Sequence, residues 1–142
     1  MRYRTFPRIA FALLLAACTN AIASPPDDEE RGRLSTKMVN LSSAVDVYFT
    51  ELTEAPAEDD ATVLKNATQH DTRLLAPEFE PYLLKVQYQA PYAVLLLCSK
   101  DGQAAIMEDA GCSARLDRQV IDEAPCEFTL QVSQGCQVNG AD

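Results

Sequence analysis

A chain of 142 residues, 47% hydrophobic and 23% charged, has room for one domain with a modest core, and not for two. Its 21 carboxylates against 12 Lys and Arg give a net charge of −9, which argues against nucleic-acid binding, where neutralised phosphates supply the affinity. The acidity reads as a means of staying soluble and not as a site.

Met1 to Arg8 carries Arg2, Arg4 and Arg8 and no acid, and Ile9 to Ala17 is wholly apolar. A cationic segment followed by a short apolar one is the pattern of a secretory signal. The apolar run falls far short of the roughly 20 residues a bilayer-spanning helix needs. At its end stands Leu15-Ala16-Ala17-Cys18, which resembles the lipobox of bacterial lipoproteins. The resemblance implies that residues 1–17 are removed as a signal peptide. It further implies that Cys18 becomes the first mature residue and carries the lipid, palmitate included. Thr19 follows Cys18 in place of the Asp that favours inner-membrane retention in that class. The implied location is therefore the periplasmic side of a bacterial outer membrane, with the membrane itself as a partner through Cys18. Two or more acyl chains anchor stably where one does not. A second reading stays open: Ala21-Ile22-Ala23 is an ordinary cleavage pattern ahead of Ser24, and cleavage there would release a soluble periplasmic or secreted protein.

Residues 18–33 hold Pro25-Pro26 and the acid run Asp27 to Glu30 without any apolar period. They read as a disordered acidic tether that stands a domain off the lipid headgroups. The acid run reads as a solvated spacer and not as a metal site. No metal site or cofactor is expected elsewhere either.

A single domain is expected over 34–136. Leu34, Met38, Leu41, Val45, Tyr48 and Leu52 recur at alternating spacings of four and three, one stripe of an amphipathic helix capped by Ser35 and stopped by Pro56. A second helix should start at Asp59 or Asp60 and run to Ala76, with Val63, Ala67, His70 and Leu74 on its stripe. His70, the single histidine, has an unperturbed pKa suited to proton transfer. No Ser or Cys is placed by sequence as its nucleophile, so it reads as a partly buried, hydrogen-bonded histidine at the rim of the core.

Tyr82, Leu84, Val86, Tyr88 and Ala90 alternate with polar residues, as in a half-buried antiparallel strand. A helix through Phe79, Leu83, Val86 and Ala90 competes with that reading, and both stay open. Ala93 to Cys98 is apolar on both faces, as in a central strand. Lys100-Asp101-Gly102-Gln103 is a hairpin signal, read as a tight primed turn, and Ala104 to Met107 is the returning strand. Ser113 to Ile121 reads as a short helix. Cys126, Phe128, Leu130 and Val132 alternate with polar residues as a last strand, and 137–142 as a flexible tail. The fold class is therefore α+β: two N-terminal helices packed on a small three- to four-stranded antiparallel sheet.

With Cys18 set aside, Cys98, Cys112, Cys126 and Cys136 remain, an even number that in an exported chain implies two disulfides. The expected pairing is Cys112–Cys126, stapling the connector to the sheet, and Cys98–Cys136, fixing the tail. There is no C-x-x-C, so redox and zinc chemistry lose their usual spacing. Glu108-Asp109 is the best carboxylate pair, but adjacent strand residues point to opposite faces, so the pair reads as polar residues at a strand end. The functional expectation is a small exported envelope lipoprotein that acts by binding or by structural interaction, with an envelope protein as partner. The Lys100, Asp101, Gly102 and Gln103 turn is its candidate contact. The alternative is a soluble periplasmic inhibitor of an envelope hydrolase presenting that turn. An enzyme using His70 with Glu108 or Asp109 is the least favoured reading.

Overall fold

The computed structural model describes residues 25–52, 54–133 and 135–140. The signal segment, Cys18 and the Ala23 cleavage pattern lie outside these residues.

The first helix, α1, spans Asp28–Thr50, so residues 28–33 of the expected tether are helical. Asp27 is its N-cap and accepts from the Glu30 N–H at 2.8 Å. Asp28, Glu29 and Glu30 fill the first turn, where negative charge meets the positive end of the helix dipole. The acid run is thus a helix start, and Ser35 lies inside the helix. Arg31 ties this start down by donating to the carbonyls of Pro26 (2.9 Å) and Val120 (2.7 Å). Leu34, Met38, Leu41 and Val45 are buried as the stripe requires. Beyond them Phe49 takes the buried position, and Tyr48 and Leu52 pack at the margin.

The second helix, α2, spans Asp60–Ala67, capped by Asp59, which accepts from the Thr62 N–H at 2.9 Å. It ends well before the expected Ala76. The Thr68 hydroxyl turns back to the Leu64 carbonyl at 2.9 Å, and Asp71 caps a separate 3-10 turn at Thr72–Leu74. Both side chains offer the backbone an alternative to continuing the helix.

The main sheet is antiparallel in the order β1-β2-β3-β4, from β1 Tyr82–Gln89, β2 Tyr92–Ser99, β3 Ala105–Ala110 and β4 Arg118–Gln119. The strand reading of 82–90 holds, and across an irregularity after Leu97 the β2–β3 register sets Cys98 opposite Ala105. The β2–β3 turn is not a primed one. Gly102 alone in it has a positive φ, at 71°. Its N–H donates to the Ser99 carbonyl at 2.8 Å, and the Ser99 N–H donates to Ala104 at 2.8 Å. Residues 100–103 therefore form a four-residue loop with glycine in the left-handed position.

Three expectations for the C-terminal part are corrected. Residues 113–121 are not a helix; only β4 is regular there. Residues 126–130 are not a strand of the main sheet. Instead β5, Gln131–Ser133, pairs with β6, Gln137–Asn139, as a separate two-stranded sheet. The segment read as a tail from 137 is therefore structured through β6. The physical reason lies in side chains of the main sheet. The Thr129 and Leu130 N–H groups are captured by Glu108, the Cys126 carbonyl by Lys85, and the Leu130 carbonyl and Val132 N–H by Gln89.

The two disulfides exist but pair as Cys98–Cys126 and Cys112–Cys136, not as expected. Cys98 faces away from α1. The irregular segment passes beside its cross-strand neighbour, with Ala105 N–H on the Ala124 carbonyl (2.9 Å) and Cys126 N–H on the Gln103 carbonyl (3.1 Å). Cys126 thereby arrives at Cys98. Cys112, just past β3, meets Cys136 in the β5–β6 turn.

The larger core lies between α1, α2 and one face of the sheet, with Met38, Leu41, Phe49, Leu95 and Leu97 at its centre. Leu96, Cys98, Ala105 and Cys126 pack on the other face, so β2 is apolar on both sides because both are covered. Among the described residues no helix is long and apolar enough to cross a membrane.

Candidate functional site

The β2–β3 turn projects at the end of the molecule where α1 begins. Two depressions flank it. One, of about 320 Å³, is lined by Pro25, Pro26, Arg31, Ala105, Val120 and Ile121, among others. The other, of about 610 Å³, is lined by Asp60, Leu64, Leu75, Phe79, Glu80 and Leu83, among others. Tyr82 and Lys100 line both, so the two form one continuous surface around the turn.

The turn is braced from within. Asp101 accepts from the Ser99 hydroxyl at 2.6 Å and from the Gln103 N–H at 3.1 Å. Lys100 donates to the Glu80 carbonyl at 2.9 Å, and the Tyr82 hydroxyl donates to Glu30 at 2.8 Å. Burial, reinforced by the Glu30 carboxylate, pushes the Tyr82 phenol up to about 12, so it stays a donor at any physiological pH. Leu75 (39% exposed), Leu83 (40%) and Ile121 (84%) present large apolar side chains to solvent around this end. Clustered exposed apolar groups with a polar rim suit contact with another molecule. The polar groups here are spent on holding the backbone of the turn, and the exposed apolar side chains suit binding.

Of the predicted turn residues, Lys100, Asp101 and Gln103 line the depressions directly, and Gly102 gives the loop its shape. The sequence reading assigns none of Leu75, Leu83 and Ile121 to a surface; it gives Leu83 a place on the competing helix and Ile121 the end of a short one. Leu75 and Leu83 stand beside counted positions, and Ile121 stands next to acids.

Glu108 and Asp109 lie on opposite faces of β3 as expected, but they are fully buried and not polar strand-end residues. Glu108 accepts from Thr129 N–H (2.8 Å), Thr129 hydroxyl (2.8 Å), Leu130 N–H (3.0 Å) and Arg118 (3.2 Å). It thereby pins the irregular segment to the sheet. Asp109 faces α1, where it bonds the Ser42 hydroxyl and accepts from the Asp117 N–H at 3.1 Å. Burial pushes its carboxyl up to about 7, with the nearby Asp117 charge adding to the rise. Asp46, one turn further along α1, is likewise raised by burial and accepts from the Ala93 N–H at 3.0 Å. A Cβ on Gly111 would overlap the Ser42 carbonyl and Asp46 Cβ, so helix and strand end touch closely and leave no room for a substrate.

His70 lies past the end of α2, exposed, with the Gln69 amide 3.4 Å from its ring. This corrects the expected partly buried position on a helix stripe. The structure does not join it to Glu108 or Asp109, whose partners are those just named.

No protein-family model, no curated protein and no solved structure matches the chain.

Proposed function

We propose that the protein is a small exported lipoprotein of the cell envelope, anchored through Cys18, which acts by binding an envelope protein at the β2–β3 turn end. The observation that carries the address is the run Leu15-Ala16-Ala17-Cys18 closing an apolar segment behind three arginines. Two disulfides support it, because such bonds persist in oxidising compartments. The exposed Leu75, Leu83 and Ile121 around a braced turn support the binding role. Pro25, which lines one depression, stands seven residues after Cys18. An extended chain of that length spans at most about 25 Å, so the anchor keeps the turn end close to the membrane surface and the partner is met there. A soluble periplasmic inhibitor, released by cleavage at Ala23, is the second reading; the rigidity of the turn, fixed by Cys98–Cys126 and by Lys100 on Glu80, favours it.

Metabolic labelling with palmitate separates the two. Label should enter the wild type and not a Cys18→Ser variant, and unchanged labelling of the variant would sink the anchor. A photo-crosslinking residue at Lys100 should then give a discrete adduct on intact cells, while the same residue at exposed Val47, on the outer side of α1, should not. Equal adducts from both positions, or none from Lys100, would remove the turn end as the binding surface.

A further inference from the structure

In the order β1-β2-β3-β4, β1 is, among the described residues, an edge strand with a neighbour on one side only. The hydrogen bonds show which of its backbone groups face outward. The Ala93 carbonyl accepts from Gly111, and the Ser99 N–H donates to Ala104, so odd-numbered residues of β2 point their backbone groups at β3. Even-numbered ones point at β1, where they meet Leu83, Lys85 and Gln87. By alternation, Tyr82, Leu84, Val86 and Tyr88 turn their N–H and C=O outward. At Val86 the outward N–H meets the Asp60 carboxylate at the start of α2. Between Tyr82 and Leu84 no described residue occupies the strand edge.

That open edge lies in the 610 Å³ depression. Leu64, Leu75, Phe79 and Leu83 make its surface apolar. Asp59, Asp60 and Glu80 stand on its rim against the single cation Lys100, whose ammonium is already bonded to the Glu80 carbonyl. Donors and acceptors repeating at strand spacing are matched by another strand, and neither a lipid nor a sugar supplies that repeat. The rim charge selects a basic strand over an acidic one.

We propose that the Tyr82–Leu84 edge of β1 binds an extended peptide segment of the partner as an added strand, with apolar residues alternating with a Lys or Arg that reaches Asp60. The Lys or Arg side chains of the added strand share the α2 face, their aliphatic stems over Leu64 and Leu75 and their charge at Asp60, and the apolar ones on the other face meet Leu83. The inference deepens the binding role stated above and rests on it for the partner being a protein; the anchor at Cys18 plays no part.

The test uses the full exported protein, purified in mild detergent, and a fluorescent ten-residue peptide of alternating Val and Lys. Two controls accompany it: the Val–Glu counterpart, and a Val–Lys copy with alternate backbone amides N-methylated. Fluorescence anisotropy should show the Val–Lys peptide binding at least tenfold more tightly than either control. Amide shifts in the NMR spectrum should centre on Tyr82 to Val86. The double variant D60N/E80Q should weaken binding at least fivefold, and E51Q, at the far end of α1, should leave it unchanged. Equal binding of the N-methylated copy would mean bulk charge attraction and overturn strand addition, as would no binding at all. If the peptide fails while the Lys100 crosslink survives, the added strand falls and the binding surface stands.

Discussion

Against one face of the main sheet lies α1, burying Leu34, Met38, Leu41, Val45 and Phe49 on Leu95, Leu97 and Met107. Against the other lie residues 124–133 and 135–140, which have few large apolar side chains to bury and only short strands of their own. The first face is held by area removed from water, about 1.5–3 kcal/mol for each large side chain fully buried. The second is held by particular groups: two disulfides, the four hydrogen bonds that the Glu108 carboxylate accepts, and the side chains of Lys85 and Gln89 standing in for a strand partner. The contrast teaches that one sheet can be covered in two ways. A stripe of apolar residues spreads its contribution over many side chains, whereas each polar anchor holds one particular stretch of backbone.

The strongest way to break this contrast is Glu108→Ala. It would leave the Thr129 and Leu130 N–H groups and Arg118 without their buried partner, and should cost about 3–5 kcal/mol. In hydrogen exchange, the Thr129 and Leu130 amides should lose protection before those of α1; parallel loss would show the two faces to be one cooperative unit. Replacing Cys98 and Cys126 together by Ala should cost about 2–4 kcal/mol in urea denaturation. The far-UV helix signal of the folded variant should stay unchanged, because α1 rests on the other face.

Asp109 tests the α1 side. With its carboxyl raised to about 7 from an ordinary 3.8, it keeps its proton in the folded state where the unfolded chain has lost it. The Ser42 hydroxyl also reaches the Val39 carbonyl at 3.0 Å, so it can donate there while accepting from a protonated Asp109. The stability from this group is therefore fully present below about pH 4 and is lost as the pH rises through about 7, at no more than about 1.4 kcal/mol per pH unit. Asp109→Asn should remove that slope, gaining on the wild type in urea denaturation as the pH is raised from 4.5 to 8. A constant difference between the two would disprove the raised carboxyl. The smallest effect is expected at Asp27→Ala, which loses the N-cap of α1 and should cost about 1 kcal/mol, seen as a lower thermal midpoint.

The α1 side was legible because its signal is local. Leu34 to Val45 recur with the helical period, and Ala93 to Cys98 is apolar at every position, so both declare their burial in consecutive residues. The acid run Asp27 to Glu30 misled because composition alone suggests solvation, whereas the same acids after a proline pair cap and charge a helix start. Phe128, Leu130 and Val132 alternate like a strand, yet Glu108 takes the Thr129 and Leu130 amides from 21 and 22 positions away in sequence, and no local pattern reports such a claim. The turn at Lys100 to Gln103 was visible through its Asp-Gly pair. The apolar side chains that gather around it come from separate elements, and only their folding brings Leu75, Leu83 and Ile121 to one end.

What the sequence by itself determined was the α+β class, the helix and strands that pack on the apolar side, the presence of two disulfides, and the opposed directions of Glu108 and Asp109. Each of these follows from periodicity or parity, which are properties of neighbouring residues and counts. Only the tertiary structure decided the pairing Cys98–Cys126 and Cys112–Cys136, the burial of Glu108 and Asp109, the exposed place of His70, and the open edge of β1. Each of these depends on which distant segment arrives alongside, and that is set by the packing of the whole chain.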